Sequence, residues 1–288
     1  DVTTLLQHVL AKQNSYKQSS LRDYKVTRKI GTGGTAYVLA AKDKKSKDKV
    51  ALKVISKAFC ADNAEFVLRE IQVMQLAKHK NILRLHSCFL QKGNPVLVLE
   101  RATVDMMEII LNYKDMLTRP IVANVVRQVL LGLKHLHTFN VIHHDIKPEN
   151  ILIGVDGFIK IADFGLTITT TESQPCDYEW VGTKEYFPPE LWIEGSAIHP
   201  AFDIWSLGVC TFGMLTGLVH HQLTGEEKDQ VAIWASGGLS WSRYWNYLSS
   251  EDIQFLNKLL TPHPRQRPTA TELLNDIWLP RVSTKLTS

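Results

Sequence analysis

The sequence predicts an α+β fold of two lobes, a small antiparallel β-sheet lobe carrying one helix and a larger, mostly α-helical lobe. Three observations predict it. The chain has 288 residues, which at roughly 100–200 residues per domain makes about two units, long enough to bury a sizeable core. Between Tyr24 and Glu100 five β-type runs surround a single helical segment. Beyond Thr103 the spacing turns helical, with Ile121, Val125, Gln128, Val129, Gly132, Leu133 and Leu136 on one stripe.

The elements follow in order. Leu5, Leu6, Val9 and Leu10 stand at helical spacing and predict a short helix in an N-terminal extension, 1–20, docked on the sheet lobe or on a partner. The sheet lobe, 21–99, has strands predicted at 24–30, 37–41, 49–55, 82–90 and 95–100 and a helix at 63–78. Glu100, Arg101, Ala102 and Thr103 form a short linker expected as a hinge, and clefts between lobes are where small-molecule sites tend to lie. The helical lobe is expected over 104–281, with a tail at 282–288.

A hydrophobic fraction of 44% and a net charge of +4 exclude disordered and collagen-like architectures. The apolar stretch from Ile121 to Leu133 is broken by Asn124, Arg127 and Gln128, and nothing approaches the ~20 apolar residues of a membrane span. No membrane partner is expected. The first thirty residues carry charges and glutamines where a signal peptide has an apolar run, so secretion is not expected. Cys60, Cys88, Cys176 and Cys210 are far apart, without a C-x-x-C pair. They read as reduced thiols of a cytoplasmic and/or nuclear protein, not as a zinc site or a disulfide framework. The basic cluster from Lys42 to Lys49 is interspersed with aspartates and reads as a solvated hairpin tip. With so small a net charge, no direct nucleic-acid binding is expected. Trp234, Trp241 and Trp245 are read as packing an insert between helices, with docking or self-association through that 234–245 segment as the alternative.

The chemistry begins at Gly31 to Val38 (GTGGTAYV), between two predicted strands. Glycines there allow backbone N–H groups to approach phosphate oxygens that a Cβ would block. The segment lacks the following helix of a dinucleotide fingerprint and the Gly-Lys-Ser/Thr ending of a P-loop. Lys53 sits alone in the apolar strand Val50-Ala-Leu-Lys53, where an unpaired ammonium is costly, so it needs an anion from ligand and protein. Glu70 on the predicted helix is its natural partner; without Lys53 it would read as a surface glutamate. The run from Val141 to Leu152 (VIHHDIKPENIL) is followed by Ile161-Ala-Asp-Phe-Gly165. Asp145 supplies a carboxylate base, Lys147 a phosphate-facing cation, and Asn150 with Asp163 oxygen ligands suited to Mg²⁺.

With these residues in this order, the chain from about Tyr24 to Arg281 resembles the eukaryotic protein kinase family, serine/threonine branch. The fold implied is the bilobal protein kinase fold, its single sheet-lobe helix being helix C, with ATP in the interlobe cleft. The resemblance implies that Lys53 holds the α and β phosphates and Glu70 orients it. Asp145 accepts the proton of the substrate hydroxyl, Lys147 neutralises charge on the transferred group, and Asn150 and Asp163 hold Mg²⁺, for which Mn²⁺ is expected to substitute. Ile30, Gly31, Gly33 and Gly34 cover the nucleotide, and Leu99 stands at the gatekeeper position. Glu100 to Ala102 offer backbone hydrogen bonds to adenine. Val38, Ala51 and Leu152 sandwich its ring, although core packing explains each equally well. Asp105 borders the nucleotide beyond the hinge and, with Glu149, lies where basophilic kinases receive arginines of the substrate, which implies Ser/Thr acceptors in basic proteins; Gly213 replaces a further acidic residue of strongly basophilic members. Asp145-Ile-Lys147 and Thr183 fit the serine/threonine branch, Asp203 resembles the aspartate that anchors the catalytic loop, and Glu190 is expected to pair with Arg267.

The departures also carry expectations. Ala36 replaces the third glycine of the loop, Pro188 an alanine, and His144, in His143-His144-Asp145, the arginine that ordinarily receives an activation-loop phosphate. Glu179 stands where the regulatory phosphothreonine is usual. Both halves of the switch have changed, so activity is expected without phosphorylation of that loop, with Thr169, Thr170, Thr171 and Ser173 as incidental sites. A contact between Glu179 and a protonated His144 is the expected substitute. A catalytically weak pseudokinase scaffold would lose Lys53, Asp145, Asn150 or Asp163, and all four are present. A small-molecule kinase would lack the segment ending in Pro188-Pro189-Glu190.

Overall fold

The computed structural model describes residues 20–169, 182–192, 198–218 and 248–286. The predicted N-terminal helix, Glu179, Thr170, Thr171, Ser173, Cys176 and the tryptophans of 234–245 lie outside the described residues.

Strands β1 (Tyr24–Thr32), β2 (Ala36–Asp43), β3 (Lys49–Ile55), β4 (Leu85–Gln91) and β5 (Asn94–Glu100) form an antiparallel sheet in the order β1-β2-β3-β5-β4. The central strand β3 is apolar on both faces because both are covered. Ala51 and Ile55 pack into the core shared with helix α1, while Val50, Leu52 and Val54 join Tyr24, Phe89, Val96 and Val98 on the other side. The predicted run 82–90 begins as a strand only at Leu85: Ile82 instead makes a single parallel bridge to Ile161, joining the sheet lobe to the helical lobe.

Helix α1 (Lys57–Leu76) starts six residues before the predicted 63–78. Asn63 explains the difference, since its non-helical φ of −132° marks a kink between a first turn and the rest, and its Nδ2 donates to Phe59 O at 3.1 Å. A short polar side chain that bonds locally favours such a break. The linker 100–103 is partly built into a strand. Its second half opens strand β6 (Ala102–Asp105), which pairs antiparallel with β8 (Ile151–Gly154), itself paired with β9 (Ile159–Ile161). A short ribbon of β7 (Val141–Ile142) and β10 (Ile168–Thr169) flanks the site.

Among the described residues five helices follow α1. Asp105 Oδ1 accepts from Glu108 N at 2.8 Å and caps α2 (Met106–Asn112). Helix α3 (Arg119–Thr138) buries the predicted stripe, and at Gly132 a Cβ would lie 2.7 Å from Ile161 Cδ1 and 3.0 Å from Asn81 O, so the close approach requires glycine. Helix α4 (Ala201–Thr216) is buried on all sides, as expected of a helix apolar all round. Helices α5 (Ser250–Leu259) and α6 (Ala270–Leu273) carry Ser and Thr capping boxes. The described part of the expected tail belongs to this lobe: Asn124 Nδ2 donates to Thr284 O at 2.9 Å, and Leu286 N to Gly157 O at 2.7 Å. Among the described residues no helix is long and apolar enough to cross a membrane.

Candidate active site

Lys53 projects from β3 toward α1. Its Nζ lies 2.7 and 2.9 Å from the two oxygens of Glu70 and 3.0 Å from Asp163 Oδ1. Burial alone would lower the ammonium's pKa, but Glu70 and Asp163 outweigh it, so Lys53 is held above its ordinary value and stays charged. Lys53 in turn pulls the half-exposed carboxyl of Asp163 below the usual carboxylate range.

The loop after β7 is fixed from beneath by Asp203 at the start of α4. This buried carboxylate accepts from His143 N and His144 N at 2.9 Å each, and from His137 Nε2 at 2.9 Å. Burial raises its pKa, but these donors lower it further, so it remains an anion. His143 Nε2 donates to Ala162 O at 3.0 Å while its Nδ1 accepts from Asp145 N at 3.3 Å, which ties the loop to the residue before Asp163. His144 has φ 68° and Asp163 φ 64°, left-handed conformations that cost non-glycine residues energy and concentrate at functional sites.

Asp145 is held on both oxygens. Oδ1 accepts from Thr183 N at 3.2 Å and Thr183 Oγ1 at 2.9 Å, and Oδ2 receives Lys147 Nζ at 2.8 Å and Asn150 Nδ2 at 3.0 Å. Lys147 also donates to Thr183 Oγ1 at 2.8 Å, closing a triangle between the loop and the segment after Gly182. Asn150 spends its amide N–H groups on Asp145, and its Oδ1 takes no hydrogen bond from the described residues. Together with Asp163 that leaves one carboxylate and one amide oxygen for a hard divalent cation. This set fits Mg²⁺, which is held by one or two protein groups while substrate phosphates and water complete the octahedron. Among the described residues no cluster of three His, Cys, Asp or Glu could hold a metal by itself.

Between the lobes lies a cleft of about 590 Å³. Its lining includes the predicted Ile30, Gly31, Val38, Ala51, Lys53, Glu70, Leu99, Glu100, Ala102, Asp105, Leu152 and Asp163. A cleft lined by apolar side chains, the paired Lys53 and the Asp163 carboxylate can hold a flat base together with a polyphosphate. The sequence profile described as Protein kinase domain matches residues 24–279. The chain belongs to the protein kinase family.

Similar proteins agree. The probable myosin light chain kinase of Dictyostelium discoideum is 33% identical over 91% of this chain and 76% of its own length. An Aurora kinase of the same organism is 33% identical over 91% of this chain and 67% of its own. Aurora kinase A-A of Xenopus laevis is 32% identical over 91% of this chain and 63% of its own. This kinase is an ATP-dependent protein serine/threonine kinase.

Other site residues of the kinase depart from expectation. Gly33 and Gly34 sit in the turn between β1 and β2, outside the cleft lining. Neither has a positive φ, a Cβ at Gly33 would make an ordinary contact with Ala36 O at 3.7 Å, and one at Gly34 would meet nothing within 4 Å. Asp145, Lys147 and Asn150 also lie outside that lining and connect to it through Ala162 N, which donates to Asn150 O at 2.9 Å. Glu100 turns its side chain to Lys160, 2.8 Å away. Gly213 is buried in α4.

His144 is the main correction. It does not present a charged ring: it is 6% exposed, packed 4.4 Å from Phe202 and 5.9 Å from Phe187 by ring centroids, and its Nε2 has no hydrogen-bond partner among the described residues. Burial lowers its pKa to about 4 despite Asp203 and Asp145 nearby, so the ring is neutral near pH 7; its expected partner Glu179 lies outside the described residues.

Sequence reasoning missed Met74, Leu83 and Ala162 in the cleft and the anchoring role of His137. The apolar three look like ordinary core residues, and no sequence spacing relates His137 to Asp203. The Glu190–Arg267 pair is present and bidentate, at 2.8 and 3.0 Å, with the guanidinium 5.0 Å over the Trp205 ring.

Proposed function

We propose that the kinase binds Mg²⁺·ATP in the interlobe cleft and phosphorylates basic protein substrates without needing a phosphate on its activation segment. Lys53 grips the α and β phosphates in the orientation set by Glu70. Asp145 accepts the hydroxyl proton on an oxygen now shared with Thr183 or Asn150, and Lys147, 2.8 Å from it, balances charge on the transferred group. Asn150 and Asp163 would hold Mg²⁺, which would supply further charge neutralisation. Mn²⁺, with the same preference for oxygen, substitutes for it. The buried, unpaired Cys60, Cys88 and Cys210 fit a reducing cytoplasmic or nuclear setting.

Asp105, Glu108 and Glu149 together line the cleft and support a preference for Arg or Lys near the acceptor. It is moderate, because Asp105 also caps α2 and Gly213 adds no charge. The observation that carries phosphate independence is the Asp145–Lys147–Thr183 triangle. It couples the catalytic loop to the segment after Gly182 by uncharged and lysine contacts, while the neutral, buried His144 offers no receiver for a dianion. Asp163→Ala should reduce radiolabel transfer from ATP by orders of magnitude with little change in melting temperature. Near-normal turnover would refute the metal role. A degenerate serine/threonine peptide library should be enriched in basic residues, and enrichment in acidic ones would refute the substrate class.

A further inference from the structure

A second groove, of about 950 Å³, meets the nucleotide cleft at Met74, Leu83, Glu100 and Arg101 and extends away from it. Both lobes build its walls: the turn between β2 and β3, the end of α1 with the turn that follows, the start of β4, and the turn between β8 and β9. Seven lysine and arginine side chains line it against three carboxylates. Two of those carboxylates, Glu100 and Asp156, are both committed to Lys160 at 2.8 Å. Lys160 cancels one of those two charges, so Asp48 and one residual negative charge stand against Lys47, Lys49, Lys78, Lys80, Arg84 and Arg101.

The excess is not neutralised locally. Lys47 Nζ donates to the Lys44 carbonyl and Lys80 lies over the Phe158 ring at 5.4 Å, contacts that leave both positive charges in place. Arg101 is half-buried in the hinge, and its guanidinium meets no carboxylate among the described residues; burial and the charge of Arg28 pull its pKa down. His79 on the groove wall is depressed to about 4 by burial, by His135, and by Lys80 and Lys160, which reports the same positive field. An arginine fork held partly out of water without an acceptor is ready for an incoming anion.

We propose that this groove docks an acidic segment of a partner protein, an extended peptide whose Asp and Glu side chains pair with these cations. The charges are spread over elements of both lobes, which suits a chain of carboxylates better than a single phosphate. Among the described residues the lining holds no Phe, Tyr or Trp on which bases could stack, and the half-exposed Val155 offers apolar contact, so a peptide fits better than single-stranded nucleic acid. The acidic residues at the cleft mouth and the basic groove beyond the hinge would together orient a partner that is basic near its acceptor and acidic elsewhere.

The test measures binding alone, so it is independent of the catalytic assignments. A fluorescently labelled dodecapeptide of Glu and Leu is titrated with the full chain, read by anisotropy, at about 50 and about 300 mM salt. Saturable binding that weakens with salt is expected. Lys78→Glu with Arg84→Glu should weaken it about tenfold or more, and so should Lys47→Glu, placed on an exposed turn where folding is not at stake. Phosphorylation of a short basic peptide should be unchanged in both. Equal affinity of wild type and variants, or no binding at low salt, would overturn the proposal. So would a single-stranded oligonucleotide of matched charge that binds more tightly and loses affinity in the same variants, since the groove would then be a nucleic-acid site.

Discussion

His144 occupies a position where the family resemblance implies an arginine, and its surroundings decide what it does. Set against Phe187 and Phe202 it acts as an aromatic plug of the small cluster with Ile142, not as a charge. His144→Phe should therefore keep peptide turnover within a few-fold of wild type, whereas a charged contact at this residue would make the same change abolish activity. The pH dependence follows from its folded pKa of about 4 against about 6.5 in the unfolded chain. Below pH 6.5 the unfolded state takes up a proton that the folded state refuses, so stability is complete above pH 6.5 and falls as pH drops toward 4. The full loss is roughly 3 kcal/mol. Denaturant titrations from pH 7.5 to 4.5 should show that slope reduced in His144→Phe; an unchanged slope would place the proton uptake elsewhere, for example at His79, whose pKa is lowered to a similar value. The sequence shows which residue replaces the arginine. It does not show that two phenylalanines 43 and 58 residues on close over it, and burial is what sets the charge.

Elements show the same division. Strand β3 and the stripe of α3 were legible because a short apolar run and the 3.6-residue period are local properties. The kink at Asn63 and the conversion of the linker into β6 were not, since the first depends on one side chain bonding its own backbone and the second on pairing with β8, some fifty residues away. The site residues were legible to the extent that their chemistry is costly without partners. Lys53 in an apolar strand demanded Glu70, and Arg267 with Glu190 obeys the same logic in the helical lobe. Arg267→Met leaves the Glu190 carboxylate buried without its cation and should destabilise by about 3–5 kcal/mol. Double substitution with Glu190→Gln should recover part of that loss in thermal melts. Gly132→Ala should cost about 1–3 kcal/mol by driving α3 away from Ile161 and Asn81. A neutral result would mean that the lobe relaxes where the contact is now tight.

For the whole molecule, the cleft joins two lobes whose catalytic parts are already connected. The Lys53–Glu70 pair links β3 to α1, Asp163 extends it to the helical lobe, and Asp203, His143 and Thr183 fix Asp145 from three sides. The proposed function requires that the fold assemble the phosphotransfer site without a phosphate on the activation segment. The most direct measurement is to produce the chain in bacteria together with a phosphatase, establish by mass spectrometry that Thr169, Thr170, Thr171 and Ser173 are unmodified, and measure phosphorylation of a basic serine/threonine peptide beside an Asp145→Asn control. The account predicts robust transfer by the unmodified protein and none above background by the control. An unmodified protein that stays inactive until another kinase modifies that loop would contradict it.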